Sequence, residues 1–412
     1  MSTPLFSVVI PTKNRSFLVG HAIRSVLEQS FPDYELIVAD NDDTEATSHV
    51  VRALRNPRLR HARTGGLSMQ DNWEHASEAA RGDYLLVLED KQMLKRHALE
   101  RLATEIDRLK PESLRWRSDS FDDECFPPRI RRGAGDGSAL MVNSDTLLGD
   151  FLNNPRLGYK LTLPLPQLSC ISRSLLERIR RGPMQRLFHA VSPDVVLALL
   201  QLNYTDAVCD IQSPLVLYLS SVHSNGKSVS NKGETGRQFI RQLPGGECDC
   251  YDRVPVKCIT IPGTIYNDFL RTQERVQGRL ARHSVNWARY FVDCYLALLG
   301  PAERGIDMSE EMKEWQRAFS EQPAVVQAEV RRELPQLTKG NLAISTTTAS
   351  RLLSKFGPRR LERLVKWLYR GYIRRDPEWR FSNPLDYYEW EASNVAKGTI
   401  LKKPAAEVGT LA

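Results

Sequence analysis

The chain has 412 residues, 41% apolar and 26% charged, the profile of a globular protein with room for two or three cores. With 57 Lys and Arg against 50 Asp and Glu the net charge is +7, which favours an anionic partner such as a nucleotide phosphate, nucleic acid or acidic lipid. No apolar run approaches the ~18–20 residues of a membrane span, the N-terminus lacks the features of a secretory signal, and the seven cysteines are expected as reduced thiols in a cytoplasm.

"FSVVIP" (6–11), a β-branched run closed by proline, predicts a buried strand. Ser16 is placed to cap a helix whose Val19, Ala22, Ile23 and Val26 recur at helical spacing. "YELIVAD" (34–40) predicts a second buried strand, followed by a helix from about Glu45 to Leu54 and a short strand at "RLRHA". Gly65 and Gly66 break the chain. Ser68 then opens a helix with Met69, Trp73, Ala76 and Ala80 on one face and Gly82 beyond its end. "YLLVL" (84–88) is the fourth strand. Apolar strands alternating with helices imply an α/β fold with a parallel sheet covered on both faces, and ligands gather at the carboxyl ends of such strands. Three of those ends are polar: Thr12-Lys13-Asn14, Asp40-Asn41-Asp42-Asp43 and Glu89-Asp90-Lys91-Gln92.

From about Lys110 the pattern loosens. The segment "DSFDDECFPPRIRRGAGDGS" reads as a solvated loop, so Asp119, Asp122, Asp123 and Glu124 rank below Glu89 and Asp90 as cation ligands. "LTLPLPQLSCISRSLLERIRR" reads as an extended segment leading into a short helix. "SPDVVLALLQL" starts a helix with Ser192 as cap, Pro193 at the first position and Asp194 in the first turn. "SPLVLYLSSVHSNGKS" is a strand ending in a polar turn that contains His223. Beyond about residue 250 the sequence is mostly helical, which divides the chain into domains 1–240 and 241–412. Cys248, Cys250 and Cys258 lack a fourth ligand at zinc spacing and read as ordinary thiols. "RRLERLVKWLYRGYIRR" sets Leu361, Leu364, Val365, Leu368 and Tyr372 on one helical face. That stripe suits packing on a core with the basic face in water, or peripheral contact with an anionic membrane.

No G-x-G-x-x-G follows the first strand, and neither a P-loop nor a G-x-S-x-G elbow occurs, which excludes ordinary dinucleotide, P-loop and α/β-hydrolase chemistry. The basic residues are scattered and match no nucleic-acid motif, so a nucleic-acid partner is set aside.

"SVVIPTKNRSFLVGHAIRSVLEQSFPDYELIVADNDDTEAT" and "GGLSMQDNWEHASEAARGDYLLVLED" resemble, in order and spacing, the opening of family-2 glycosyltransferases with the GT-A fold. The likeness covers about the first hundred residues, is patchy after that and is absent beyond about 240. It implies the nucleotide-diphospho-sugar transferase fold, a mostly parallel sheet flanked by helices, here with a mainly α-helical C-terminal domain. The reaction it implies moves a sugar, with inversion, from a nucleoside-diphosphate donor (UDP-type favoured) to a hydroxyl of a saccharide or lipid-linked acceptor. Bacterial polysaccharide or glycoconjugate synthesis is the implied setting, in the cytoplasm or peripheral at the inner face of the membrane.

Carried over by position, Pro11, Thr12 and Asn14 line the nucleotide pocket, Asp40 hydrogen-bonds the base with Asp42 close by, and Asn72 lies beside the donor. Asp90 matches the D-x-D turn, whose carboxylate holds Mn2+ or Mg2+ on the diphosphate. Lys91 and Gln92 replace the usual carboxylates, leaving Glu89 and Asp90, with a carbonyl oxygen from Gln92 and a phosphate contact from Lys91. A late histidine completes the metal shell in several such enzymes, and His223 stands where it could. Asp194 takes the place of the catalytic base, and a helix N-terminus is expected to lower its pKa and keep it ionised. Two other classes fit parts of the pattern. One is a nucleotidyltransferase on a similar sheet, although "PTKNRS" lacks the glycines of its basic turn. The other is a non-catalytic GT-A-like module that lost its metal where Lys91 and Gln92 entered.

Overall fold

β1 (Phe6–Thr12), β2 (Tyr34–Asp40), β3 (Leu59–Arg63) and β4 (Tyr84–Val87) pair in parallel in the order β3-β2-β1-β4. They are joined by α1 (Ser16–Leu27), α2 (Ala46–Ala53) and α3 (Met69–Glu78), as the alternating pattern predicts. The computed structural model describes residues 3–122, 129–154, 158–189, 191–220 and 224–345, with 385, 387–389, 391 and 393. β5 (Gln92–Leu94), α4 (Ala98–Leu109), β6 (Ser113–Asp122), β7 (Arg129–Arg131) and β8 (Ala139–Asn143) come next. α5 (Ser144–Asn153), α6 (Tyr159–Thr162), β9 (Ser169–Ser172), α7 (Arg173–Arg181), α8 (Pro193–Tyr204) and β10 (Ala207–Ser220) complete the sheet region. Among the described residues all ten strands form one mixed sheet. β9 enters antiparallel between β4 and β6, β10 runs parallel to β6, and the short β5, β7 and β8 flank them antiparallel.

Both faces of the sheet are covered, and the period-2 alternation of β1 divides it between two cores. Phe6, Val8 and Ile10 meet Val19, Ile23 and Val26 of α1 and Leu99 and Leu102 of α4. Val9 faces the other way, into a core shared with Trp73 of α3 and with Leu197 and Leu200 of α8. That second core runs on into the helical C-terminal part: α9 (Asn225–Ser230), α10 (Glu234–Arg241), α11 (Ile261–Val276), α12 (Trp287–Glu303), α13 (Ser309–Ser320) and α14 (Ala324–Ser345). Ile265 and Phe269 of α11, Phe291 of α12 and Trp315 of α13 belong to it. Among the described residues no helix is long and apolar enough to cross a membrane.

The segment read as a solvated loop is in part β6, a ten-residue strand inside the sheet. Its charged side chains are buried in pairs. Arg115 lies 2.7 Å from Asp210 of β10, and Asp119, 1% exposed, lies 2.5 Å from Lys95. Cross-sheet pairing lets the polar run stay inside, which is why polarity alone pointed to solvent. The backbone of Asp122 closes the strand, while Asp123 and Glu124 lie outside the described residues, as do His223 and residues 361–372, the segment expected to form a basic helix. Tyr388 donates to the Leu94 carbonyl at 2.9 Å and Glu391 meets Lys95 at 2.6 Å, so these residues lie against the β5 edge.

Two helix boundaries differ from expectation. Arg15, not Ser16, is the N-cap of α1, and it makes no side-chain cap bond. Gly82 is not a left-handed residue beyond α3; a Cβ there would sit 2.6 Å from the Ser7 backbone nitrogen and 2.7 Å from the Phe6 carbonyl carbon. Glycine is needed because the chain passes against β1. Gly82→Ala should therefore cost about 1–3 kcal/mol, through displacement of β1, in urea denaturation followed by circular dichroism; unchanged stability would show that the strands can part without penalty.

Candidate active site

The parallel register brings the polar strand ends together. Thr12 pairs with Asp40 and Asp40 with Arg63, while Val9 pairs with Val87, so β4 delivers Glu89, Asp90 and Lys91 to the same sheet edge. There they line a cleft of about 650 Å³ together with Pro11, Thr12, Asn14 and Asn72. Such a volume accommodates a small-molecule ligand.

Asp90 is 3% exposed. Its two oxygens accept from the Thr12 hydroxyl at 2.9 Å and the Arg15 guanidinium at 3.2 Å. Burial pushes its carboxyl above the ordinary range, while Arg15 and Thr12 pull it back. Glu89 lies 3.3 Å from the Lys91 ammonium. Lys91 also stands 5.0 Å from the Tyr218 ring centroid, and burial, which alone would push it down, is outweighed by Glu89 and Tyr218, so it stays charged. Lys160 of α6 stands over the same ring at 5.1 Å.

Asp194 opens on this cleft from the first turn of α8. One of its oxygens accepts from Gln167 Nε2 at 2.9 Å. Contrary to the expected lowering by the helix terminus, its carboxyl is raised. Burial is the largest cause and Glu89 adds to it, while Gln167, the Val195 N–H and Lys160 act against it. Nor does Ser192 cap α8 with its side chain. The cap comes from α11: Asp268 accepts from the Ser192 N–H at 2.9 Å and the Val191 N–H at 3.4 Å, and burial pushes its carboxyl up to about 7.

Residues 7–180 match the sequence family described as Glycosyl transferase family 2. Over that stretch the chain is similar to family-2 glycosyltransferases. The chain is 31% identical over 103 residues to the GalNAc(5)-diNAcBac-PP-undecaprenol beta-1,3-glucosyltransferase of Campylobacter jejuni, covering 24% of this chain and 33% of that one. Against the putative teichuronic acid biosynthesis glycosyltransferase TuaG of Bacillus subtilis it is 25% identical over 185 residues, 44% of this chain and 66% of the relative. The chain thus spans about a third of the first of these relatives and about two thirds of the second. A crystal structure of S. aureus TarS 1-349 in complex with UDP-GlcNAc aligns with 81% of this chain and 92% of that one, at 14% identity and a TM-score of 0.44.

Within residues 7–180 some of the expected site residues hold the cleft's shape. Asp40 is fully buried and does not line the cleft: its oxygens accept from Ser48 at 2.9 Å, His61 at 2.9 Å and the Asp42 N–H at 3.1 Å, so it holds the strand end behind the cleft wall. Asp42 also lies off the cleft wall, accepting from the Asn14 N–H, and the neighbouring Asn41 is the one that lines it. Asn14 takes the left-handed conformation, φ 56°, and exchanges two hydrogen bonds with Asp43. Asn72 lines the cleft but accepts from Thr64 at 2.9 Å and donates to the Ala39 carbonyl at 3.3 Å.

Gln92 is not placed as a metal ligand. It is fully buried; its Oε1 accepts the Glu89 N–H at 2.9 Å, closing the turn, and its Nε2 donates to the Gln167 carbonyl at 3.2 Å. The acidic turn therefore keeps two carboxylates, each with a basic side chain of its own chain beside it. Among the described residues no group of three His, Cys, Asp or Glu could hold a metal ion, Cys248, Cys250 and Cys258 included. That donor set does not fit the Mn2+ or Mg2+ implied by the resemblance.

Arg15, Lys160, Gln167 and Tyr218 escaped the sequence reading. Arg15 follows a conspicuous strand turn and could have been suspected; the other three come from segments whose sequence gives no hint of a cleft. Gln92→Leu should leave the Glu89 N–H and the Gln167 carbonyl without partners, lowering stability by about 1–3 kcal/mol in thermal or urea unfolding. Unchanged stability would mean that the turn closes without this bridge.

Proposed function

We propose that the chain is an inverting glycosyltransferase that moves a sugar from a nucleoside-diphosphate donor to a hydroxyl of a saccharide or lipid-linked acceptor in bacterial polysaccharide or glycoconjugate synthesis. One observation carries this reading: Asp194 opens on the same cleft as the β1 and β4 turns. The Asp194 carboxylate takes the proton of the acceptor hydroxyl, and the acceptor oxygen forms a bond to the anomeric carbon. The bond from that carbon to the donor oxygen breaks, and its electron pair leaves with the nucleoside diphosphate. Attack opposite the leaving group inverts the centre. Gln167 orients Asp194 and hydrogen-bonds its ionised form. Pro11, Thr12, Asn14 and Asn72 wall the donor side. The six described cysteines are all free, which supports a cytoplasmic setting.

A base must be ionised to act, so a raised pKa moves the acid limb of activity upward. The pH profile of kcat/KM should fall on the acid side at a pH above the ~3.9 of free aspartate. Asp194→Asn should lower kcat about 10²–10⁴-fold while leaving nucleoside-diphosphate binding intact. Turnover equal to the wild type would remove Asp194 as the base.

A further inference from the structure

The charged side chains lining the cleft are unbalanced: Lys13, Arg15, Lys91, Lys160 and Lys227 face three carboxylates, Glu89, Asp90 and Asp194. Arg15 lies against Asp90 and Lys91 against Glu89. Lys160 is different. It stands exposed inside the cleft, and among the described residues no carboxylate lies within ion-pair distance of it. The faces of the Tyr159 and Tyr218 rings, 6.0 and 5.1 Å away, hold its ammonium in place. A divalent cation entering here would meet an excess of positive charge, and carboxylates that already have basic partners. An anion would find an ammonium waiting for it.

We propose that Lys160, with Lys91 beside it over Tyr218, neutralises the diphosphate of the donor, so that donor binding and departure of the nucleoside diphosphate need no divalent metal. The inference rests on the glycosyltransferase reading. As the bond to the anomeric carbon breaks, its electron pair and negative charge settle on the outer phosphate oxygen, and the ammonium stabilises that charge by charge-assisted hydrogen bonds. A lysine ammonium is charged at neutral pH at its ordinary pKa, and the Tyr218 ring faces both of these, 5.0 Å from Lys91 and 5.1 Å from Lys160. Lys91 comes from the end of β4 and Lys160 from α6, so the two charges reach the same ring from different parts of the fold. The lysine inside the acidic turn is then a working part of the site, and its companion comes from a segment with no sequence motif.

The test is calorimetric titration of the full chain with UDP and with GDP, in EDTA and in Mn2+, alongside donor hydrolysis under both conditions. Binding and hydrolysis in EDTA within about twofold of the Mn2+ values are expected, with Lys160→Met weakening nucleoside-diphosphate binding about ten- to hundredfold and Lys160→Arg restoring most of it. An unchanged thermal melt of Lys160→Met checks that its replacement leaves the fold intact. Binding that disappears in EDTA and returns with Mn2+ would overturn the metal-free site while leaving the glycosyltransferase reading standing. Lys160→Met binding as tightly as the wild type would overturn the assignment of Lys160. No binding of either nucleotide under any condition would bring down the glycosyltransferase reading itself, and this inference with it.

Discussion

A carboxylate buried at a sheet edge needs a positive charge close by, and the site is arranged around that requirement. The turn after β4 carries Glu89 and Asp90, and the chain answers with Lys91 for the first and Arg15 for the second. Gln92 then closes the turn and reaches Gln167, which in turn donates to Asp194. One run of hydrogen bonds thus joins the acidic turn to the candidate base across the cleft. The Gln92 amide is used at both ends, so it has no acceptor to spare for a ligand such as a metal ion, whereas Gln167 uses its Nε2 on Asp194 and its backbone carbonyl on Gln92.

The same base is also held from the helical C-terminal part. α8 starts without a side-chain cap of its own, and Asp268 of α11 supplies the missing acceptors. Its carboxyl lies near 7, above the ~3.9 of an aspartate in the unfolded chain. The folded state therefore keeps a proton that the unfolded state releases between about pH 4 and 7, and this group favours the folded state less as pH rises through that window. The helical part is coupled to the cleft by a named hydrogen-bonded contact as well as by the core it shares with α8.

The first ninety residues were legible because their physics is local. Buried parallel strands are short apolar runs, and β1, β2 and β4 began where those runs begin. β6 was not legible, since a strand whose charges are matched on neighbouring strands has no apolar run to show. In the cleft, Pro11, Thr12, Asn14, Asn72, Glu89, Asp90, Lys91 and Asp194 come together as expected, while Asp40 and Asp42 lie behind its wall. Whether a carboxylate faces a ligand or a serine depends on neighbours such as Ser48 and His61, which spacing along the chain does not specify. The direction of the Asp194 shift was missed for the same reason. A helix terminus is visible in sequence, but the burial that outweighs it is not.

Lys91 was the residue that fitted the acidic turn least, and its surroundings explain it. An ammonium inserted between metal ligands would repel the ion it was meant to accompany. Placed beside Glu89 and over Tyr218, it converts the turn from a cation trap into a nearly neutral floor. Once the floor is neutral, Lys160 is enough to tip the cleft toward anions. On the proposed reading, Lys91 in the turn and Lys160 from α6 together set the charge that the cleft presents to a ligand, without altering the strand that leads into the turn.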